Sequence, residues 1–273
     1  MTASMDTVAE VLTEGPAHAL AGLLPGRAPD LSEPLPLLWH WVYLLDRPSQ
    51  HDLGPDGHPR QGSVQSPPEP GLRRMWAGGR VRCPAPLRLG EPAVRRSSVT
   101  AERHKQGRAG AMIVRTLTHK IEQRGVVVVH EEQDVIYLTS GQAPMRARAP
   151  ATTDAADRWD VEISATLMFR FSALTYNAHR IHYDRDYARD VEGYPGLLVH
   201  GPLQALLMAE IVRCTRETPH VNASFDYRLV APLFDNQGCT VRVDTPGQDG
   251  TASTTVCDST GRVTARGTLT VNG

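Results

Sequence analysis

The chain has 273 residues, 29 of them basic and 30 acidic, and a formal net charge of −1. This balance leaves no broad positive field for a polyanion, so we expect no nucleic-acid partner. The four cysteines form no CxxC pair, which indicates neither a disulfide framework nor a zinc site and favours a reducing, cytoplasmic location. The N-terminus shows no basic segment followed by an apolar run, so we expect no membrane association.

The N-terminal part of the chain predicts two helices and a long loop. Apolar side chains at helical spacing over residues 6–24, interrupted by Gly15 and Pro16, predict a short helix and then a turn. The run LPLLWHWVYLLD, residues 35–46, is apolar enough to form a buried helix. Residues 47–71 are rich in proline, glycine and polar side chains, which predicts a loop. Loops of more than about 15 residues are usually functional or flexible.

Strands dominate the following segment. Long β-branched runs separated by glycine-containing turns over residues 80–138 predict an antiparallel meander. The polar residues 139–160 have the composition of an interdomain linker. After them, VEISATLMFRF at residues 161–171 predicts a strand, GPLQALLMAEIVRCTR at residues 201–216 predicts a helix, and further strands follow. This helix is apolar on nearly all sides, which is typical of a helix wrapped by a sheet.

The two parts of the chain therefore follow one plan. Each offers a central helix and three or four long antiparallel strands, which makes the fold class α+β. We predict two halves, residues 1–150 and residues 151–273, that share a pattern of elements but no obvious sequence identity.

The stretch NAHRIHYD, residues 177–184, contains the first candidate catalytic side chains. Histidine is the side chain whose usual pKa of about 6.5 suits proton transfer near neutral pH. His179 or His182 can take that role. Asn177 cannot, because its amide does not titrate, and it can only orient water or a carbonyl group.

A second feature follows about twenty residues later. Val199, His200, Gly201 and Pro202 lead into the predicted apolar helix, and proline suits its first turn. A helix N-terminus offers unpaired backbone N–H groups and a positive dipole end, which can hold the oxygen of a carbonyl that gains enolate character. Gly201 lets such a carbonyl approach closely, since it has no side chain.

These features resemble the (R)-specific enoyl-CoA hydratase or MaoC-like dehydratase family, which has the hot-dog fold. The string FSALTYNAHRIHYD, with GLLVHGPLQ after it and PLLWHW near the start, resembles the type 2 hydroxyacyl-thioester dehydratase branch, which includes mesaconyl-C4-CoA and itaconyl-CoA hydratases. The resemblance covers most of the chain and is strongest over residues 169–210. It implies a double hot-dog, with an acyl pocket shaped by residues 1–150 and the chemistry in residues 151–273.

The resemblance also implies roles for individual residues. The family histidine falls on His182, its acidic partner on Asn177 and its oxyanion glycine on Gly201. Asparagine in place of the usual aspartate removes one ionisable group, but asparagine belongs at this position in the type 2 branch. We expect His182 to move the proton, Asn177 to help hold the water and the Gly201 N–H to stabilise the enolate oxygen.

Further residues are candidates for substrate contact, and the expected ligand is an acyl-CoA thioester. We expect neither a metal nor a cofactor beyond the CoA of the substrate, because His179 and His182 have no evident third ligand nearby. A homodimer or higher homo-oligomer is expected, since the edge strands of a double hot-dog commonly pair or are covered. The candidate substrate-binding residues are His179, Arg180, Val199, His200, Trp39 and Trp41.

The reaction implied is reversible hydration of an enoyl-CoA, with a small C5 dicarboxylyl-CoA as the preferred expectation: itaconyl-CoA or mesaconyl-C4-CoA, converted to citramalyl-CoA. Three alternatives stay open at this point. The first is a 3-hydroxyacyl-thioester dehydratase of fatty acid synthesis. The second is a hot-dog thioesterase with Glu210 or Asp184 as base, and the third is a non-catalytic acyl-CoA-binding protein.

Overall fold

The computed structural model describes residues 5–24, 26, 28–61, 64–107, 110–139, 157–216, 221–244 and 250–271. Within these ranges the chain forms ten strands and four α-helices. The strands are β1 (Met5–Val11), β2 (Leu72–Cys83), β3 (Pro92–Gly107), β4 (Gly110–Gln123), β5 (Val126–Thr139), β6 (Asp157–Asp160), β7 (Ala223–Leu229), β8 (Thr240–Val243), β9 (Thr251–Cys257) and β10 (Val263–Val271). The helices are α1 (Glu14–Ala21), α2 (Ala165–Leu174), α3 (Arg185–Asp190) and α4 (Gly201–Arg216).

All ten strands belong to one sheet, with the order β1-β3-β4-β5-β2-β7-β10-β9-β8-β6. Every pairing between neighbours is antiparallel. The first five positions come from the first part of the chain and the last five from the second. The two sets join where β2 pairs with β7, from Gly78 opposite Arg228 to Cys83 opposite Ala223. The two predicted α+β halves therefore share one continuous sheet.

Helix α4 lies in the core of the second half. It spans the residues predicted for it, and its positions from Leu203 to Val212 are all buried. It contacts β6, β7, β8, β9 and β10 as well as β2. This confirms that a helix apolar on all sides is wrapped by a sheet. The predicted meander is also confirmed, because β3, β4 and β5 follow one another as antiparallel neighbours.

The helix predicted over residues 35–46 is wrong. Only a short 3-10 turn, Trp39–Val42, forms there. Leu38 and Leu44 flank it with left-handed φ values of 71° and 52°, which interrupts any longer helix. The run is apolar without a 3.6-residue period, so its apolarity indicated burial correctly but not the backbone conformation.

The strand predicted over residues 161–171 is also wrong, because most of it is α2. The hydroxyl of Ser164 accepts a hydrogen bond from the Leu167 N–H at 3.2 Å and caps the helix. Met168, Phe171 and Ser172 are buried at helical spacing. The cap is a local signal for a helix start that the apolar run concealed.

Residues 6–24 contain a strand as well as the predicted helix. Strand β1 alternates exposed and half-buried positions and pairs with β3. Gly15 and Pro16 lie in the first turn of α1 and not at a break, because a missing proline N–H is tolerated there.

The long loop predicted over residues 47–71 is confirmed in its described positions, apart from a 3-10 turn at Gln50–Asp52. Most of the predicted linker, including the boundary between residues 150 and 151, lies outside the described residues, so that boundary stays a prediction. The last four residues of the predicted linker are not linker, because they form β6 and pair with β8. None of the helices in the described ranges combines the length and apolarity needed to cross a bilayer.

Candidate active site

A cavity of about 1860 Å³ lies where the two halves meet. The first half contributes much of the loop predicted over residues 47–71 and parts of β2, β4 and β5. The second half contributes the end of α2, the 177–183 segment and the start of α4. Of the predicted catalytic residues, Asn177, His182 and Gly201 all line this cavity. Its walls are built by both halves, so neither half alone contains the site.

His182 is held in one orientation by the backbone. It ends the 3-10 turn Arg180–His182 and is buried. Its Nδ1 lies 2.6 Å from the carbonyl oxygen of Leu198. A carbonyl can only accept, so Nδ1 carries the proton and Nε2 keeps its lone pair. Burial lowers the pKa of His182 to about 4, and the ring is therefore neutral near pH 7 and able to accept a proton.

His200 supports the His182 ring from one side. The two rings stack with centroids 3.8 Å apart and 20° between their planes. His200 Nε2 lies 2.8 Å from the hydroxyl of Ser172. His200 is fully buried and does not line the cavity. The substrate contact predicted for His200 therefore has no support in its position, and its ring instead restricts the movement of His182.

Asn177 and His179 form a tight turn beside His182. The side-chain oxygen of Asn177 accepts a hydrogen bond from the His179 N–H at 3.0 Å. This uses the acceptor end of the amide and leaves its NH₂ group for a ligand. His179 lines the cavity, and its ring lies edge-on to that of His182 at 5.4 Å.

Gly201 begins α4, where the first N–H groups of a helix have no intrahelical partner. No backbone hydrogen bond between described residues outside the regular elements uses its N–H. A Cβ atom added at Gly201 would lie 2.2 Å from Cδ1 of Leu229, so a side chain here requires Leu229 or the helix start to move. Val199 lines the cavity and donates its N–H to the Leu233 carbonyl at 2.8 Å, which fixes the chain before the helix.

The first half adds three polar residues that the sequence did not single out. Asp56 and His58 lie in the long loop, and Arg74 lies on β2. His58 Nδ1 is 3.1 Å from the Asp56 carboxylate, and His58 Nε2 is 3.2 Å from Nη1 of Arg74. The His58 ring packs on His179 with centroids 4.1 Å apart. The only available signal was the composition and length of the loop.

Backbone contacts hold this loop against the candidate catalytic turn. The Arg180 N–H donates to the Asp56 carbonyl at 2.9 Å. Gly57 has a left-handed φ of 91°, and a Cβ there would lie 1.8 Å from the Ala178 carbonyl oxygen. Only glycine fits this close approach.

Three potential metal ligands, Asp56, His58 and His179, come within 4.8 Å of one another. Both ring nitrogens of His58 already have hydrogen-bond partners, and one of these is the cationic Arg74. A positive charge beside a ligand nitrogen opposes the binding of a cation. The donor set therefore fits a metal ion poorly, and the expectation of a metal-free site stays a prediction.

Of the remaining residues predicted to bind substrate, one lines the cavity and two lie outside it. Trp41 lines the cavity, whereas Trp39 is fully buried outside it. The indole N–H of Trp39 donates to Glu210 at 2.8 Å. Arg180 does not line the cavity either, and it pairs with Asp184 at 2.7 Å. Neither Trp39 nor Arg180 is therefore placed to touch a ligand there.

Both candidate thioesterase bases are engaged elsewhere. Glu210 is buried, accepts from Trp39 and forms an ion pair with Arg213 at 2.6 Å. Asp184 caps α3 by accepting the Tyr187 N–H at 3.0 Å. Neither carboxylate lines the cavity, so the site offers no support for either as a base.

A second buried polar cluster lines the cavity from the first half. The Glu131 carboxylate accepts hydrogen bonds from His40, Trp41 and Gln133 at 2.8–3.0 Å. Burial alone would raise the pKa of Glu131, but the hydrogen bond and charge of His40 outweigh it and hold the pKa at about 2. Glu131 is therefore a fully bonded carboxylate.

Comparisons with known proteins agree with this architecture. The family described as hydroxyacyl-thioester dehydratase type 2 matches residues 38–235. Mesaconyl-C4-CoA hydratase of Chloroflexus aurantiacus is 47% identical over 214 residues, which cover 77% of this chain and 75% of that protein. A MaoC-like dehydratase structure from Phytophthora capsici aligns with a TM-score of 0.72 at 14% identity, over 99% of this chain and 96% of that one. A Mycobacterium tuberculosis protein described as having a double hot-dog fold aligns with a TM-score of 0.58 at 15% identity, over 98% and 95% of the two chains.

The fold is thus a double hot-dog, which confirms the predicted class. The chain belongs to the type 2 hydroxyacyl-thioester dehydratase family and is a hydro-lyase. The roles given to Asn177, His182 and Gly201 stay predictions that rest on their geometry.

Proposed function

We propose that this protein catalyses reversible hydration of an enoyl-CoA thioester, and that its acyl group is a small C5 dicarboxylate. The observation that carries the proposal is the state of His182. It is buried at the cavity wall, its Nδ1–H is bound by the Leu198 carbonyl at 2.6 Å, and no hydrogen bond between described residues uses its Nε2. The lone pair of the neutral Nε2 is therefore available to act as a base.

The reaction uses that lone pair as a base. Asn177 and His182 hold a water molecule, and Nε2 of His182 takes one proton from it. The water oxygen forms a bond to the β-carbon, and the π electrons of the double bond move to the thioester as an enolate. The Gly201 N–H and the N-terminal dipole of α4 stabilise the enolate oxygen.

The same histidine completes the step. Imidazolium with a pKa of about 4 is a strong acid for a side chain, so His182 readily gives the proton to the α-carbon. The enolate electrons form the new C–H bond, and His182 returns to its neutral form. One histidine with an amide partner therefore accounts for both proton transfers, and no carboxylate is needed.

The choice of acyl group is supported by the relative that is 47% identical, which is a mesaconyl-C4-CoA hydratase. Mesaconyl-C4-CoA has its double bond between the α- and β-carbons and gives citramalyl-CoA by this step. Itaconyl-CoA has its double bond between the β- and γ-carbons, so it gives the same product by this step only after the double bond has moved into conjugation with the thioester. The family description supports a second candidate, dehydration of a hydroxyacyl thioester, and we propose a 3-hydroxyacyl group on an acyl carrier protein as its form. A panel of enoyl-CoAs, from crotonyl to mesaconyl and itaconyl, together with the matching acyl-carrier-protein thioesters, separates these two substrates.

The decisive variant is His182→Ala. Loss of an acid/base group lowers kcat by about 10²- to 10⁴-fold, measured as loss of the conjugated enoyl absorbance. The matched control is His18→Ala, since His18 is an exposed histidine far from the cavity lining. A folded His182→Ala protein with near wild-type kcat would contradict the role of His182. Release of free thiol in place of hydrated thioester would show a thioesterase.

We also propose a homodimer or higher homo-oligomer in the cytoplasm. Strands β1 and β6 end the sheet and each has one described neighbour, so an edge is available on both sides. Light scattering of the purified protein tests the assembly, and a monomeric mass at micromolar concentration would contradict it.

A further inference from the structure

One arginine of the cavity has no direct acidic partner, since the nearby Asp56 carboxylate reaches it only through the His58 ring. Arg74 is half-buried on β2 and lines the cavity. It donates to His58 and to the Gln65 side chain, both at 3.2 Å, and both acceptors are neutral groups. Its Nε is buried and has no hydrogen-bond partner. Among the described residues, no carboxylate comes within ion-pair distance of Arg74.

The other cavity-lining arginines of the described chain either have an acidic partner or are exposed. Arg73 pairs with Glu192, and Arg95 pairs with Asp46. Arg60 is exposed to solvent. A partly buried cation without an anion is costly, and an anionic ligand would remove that cost. Among these arginines, Arg74 is therefore the one best suited to bind an anionic ligand.

Arg74 also lies close to the proposed chemistry. The ring of His58, which it contacts, packs on His179 at 4.1 Å, and His179 lies edge-on to His182 at 5.4 Å. Two side chains thus separate the guanidinium from the proposed base. In agreement with this proximity, after the larger effect of burial, the charge of Arg74 contributes to the lowered pKa of His182.

The position matches the chemistry of the proposed substrates, so this inference rests on the proposed function. In citramalyl thioesters the free carboxylate is attached to the β-carbon, the atom that receives water. A residue that binds this carboxylate must therefore lie near the group that delivers the water. We propose that Arg74 binds a carboxylate on the β-carbon of the acyl group and makes the enzyme selective for β-carboxylated enoyl thioesters.

Two pairs of thioesters isolate this contact. Fumaryl-CoA and crotonyl-CoA differ only by carboxylate or methyl on the β-carbon, and both can be hydrated. Succinyl-CoA and butyryl-CoA have the same difference but no double bond, so they report binding alone. The wild-type enzyme should favour the carboxylate member of each pair. Arg74→Met should lower both preferences by about 10- to 100-fold, the effect expected for a lost charge-assisted hydrogen bond.

Arg80→Met is the matched control, because Arg80 lies on the same strand outside the cavity lining and already has two acidic partners, Glu132 and Asp134. It should leave both ratios within about twofold, on the ordinary scale of a partly exposed ion pair. Unchanged ratios in a folded Arg74→Met protein, or an equal loss in Arg80→Met, would overturn the proposal. If Arg74→Met does not fold, the wild-type enzyme is compared on fumaryl-CoA and its neutral methyl ester, and equal kcat/KM values would overturn the proposal.

The two proposals fail separately. If the wild-type enzyme hydrates none of these thioesters, the proposed function fails, and the binding ratio of succinyl-CoA to butyryl-CoA still tests Arg74. If it hydrates both members of the unsaturated pair and Arg74→Met keeps the ratio, only the assignment of Arg74 fails.

Discussion

Two buried polar clusters line one cavity, and they differ in charge: one contains an ionised carboxylate and the other a neutral histidine. In the first half, the carboxylate of Glu131 is ionised and accepts from His40, Trp41 and Gln133. In the second half, His182 has no carboxylate partner and one ring nitrogen outside the described hydrogen bonds. A carboxylate with all its donors in place ties chain segments together. A neutral histidine with a spare lone pair is available to a substrate.

The comparison shows why residue type alone does not locate a site. Both clusters contain buried histidines, and His119 in the first half also has an unpartnered Nε2. The difference is the surroundings: Glu131 joins β5 to the Trp39–Val42 turn, whereas His182 ends the turn before α3 and bonds to the Leu198 carbonyl shortly before α4. We interpret the first cluster as structural and the second as catalytic.

The largest expected effect on stability comes from the first cluster. Glu131→Ala removes one carboxylate and leaves three donors without their acceptor, the buried His40 and Gln133 and the partly buried Trp41, so the free energy of unfolding should fall by about 3–5 kcal/mol. Denaturant titration measures it. Glu132→Ala is the control on the same strand, because its pair with Arg80 is partly exposed and should contribute no more than about 1 kcal/mol. Equal losses of unfolding free energy in the two variants would contradict the structural role assigned to Glu131.

A variant at the start of α4 tests the catalytic cluster. Gly201→Ala would place a Cβ against Leu229, which also lines the cavity, and the displacement of Leu229 or of the helix N-terminus should lower kcat/KM by up to about 10²-fold. The double variant Gly201→Ala/Leu229→Ala provides space for the new methyl group and should recover to within about tenfold of the wild type. Steady-state kinetics on the best enoyl-CoA measures both. No recovery in a folded double variant would show that the methyl group itself blocks the substrate.

The two clusters should also respond to acid in different pH ranges. Because the pKa of His182 is about 4 in the folded protein and about 6.5 unfolded, the unfolded state binds more protons between these values. The free energy of unfolding should therefore fall as the pH is lowered from about 6.5 to 4. Glu131, with a pKa of about 2 against 4.5, adds a loss as the pH falls below about 4.5.

The pH dependence of activity follows from the lowered pKa of His182. The acid limb of kcat/KM should have a pKa near 4, where neutral His182 is lost, and the rate should stay level from about pH 5.5 to 8. Rates and circular dichroism are recorded on the same samples, which separates titration from unfolding. An acid limb near the ordinary histidine value in fully folded protein would contradict the environment described for His182.

The smallest expected effect is that of metal removal. Both ring nitrogens of His58 have partners, so dialysis against EDTA should change kcat by less than about twofold. Elemental analysis before and after dialysis is the accompanying measurement. A large loss that Zn²⁺ or Mg²⁺ restores would overturn the expectation of a metal-free site.

The sequence predicted the second half of the site better than the first. Helix α4 and the later strands carry clear periodicity, and Asn177, His182 and Gly201 lie within a short segment that resembles a known motif. Asp56, His58 and Arg74 were not predicted, because the sheet joins distant parts of the chain and no local pattern records that contact. The α2 segment shows the same limit, since a short apolar run fits a strand or a helix until its cap is recognised.

The close approach of Gly57 to the Ala178 carbonyl has an evolutionary consequence. Two segments about 120 residues apart touch through backbone atoms, so an insertion or a side chain at either position must be compensated at the other. The loop around Gly57 and the turn around Ala178 should therefore change together among relatives. The two halves of this molecule are therefore not expected to diverge independently at these two positions.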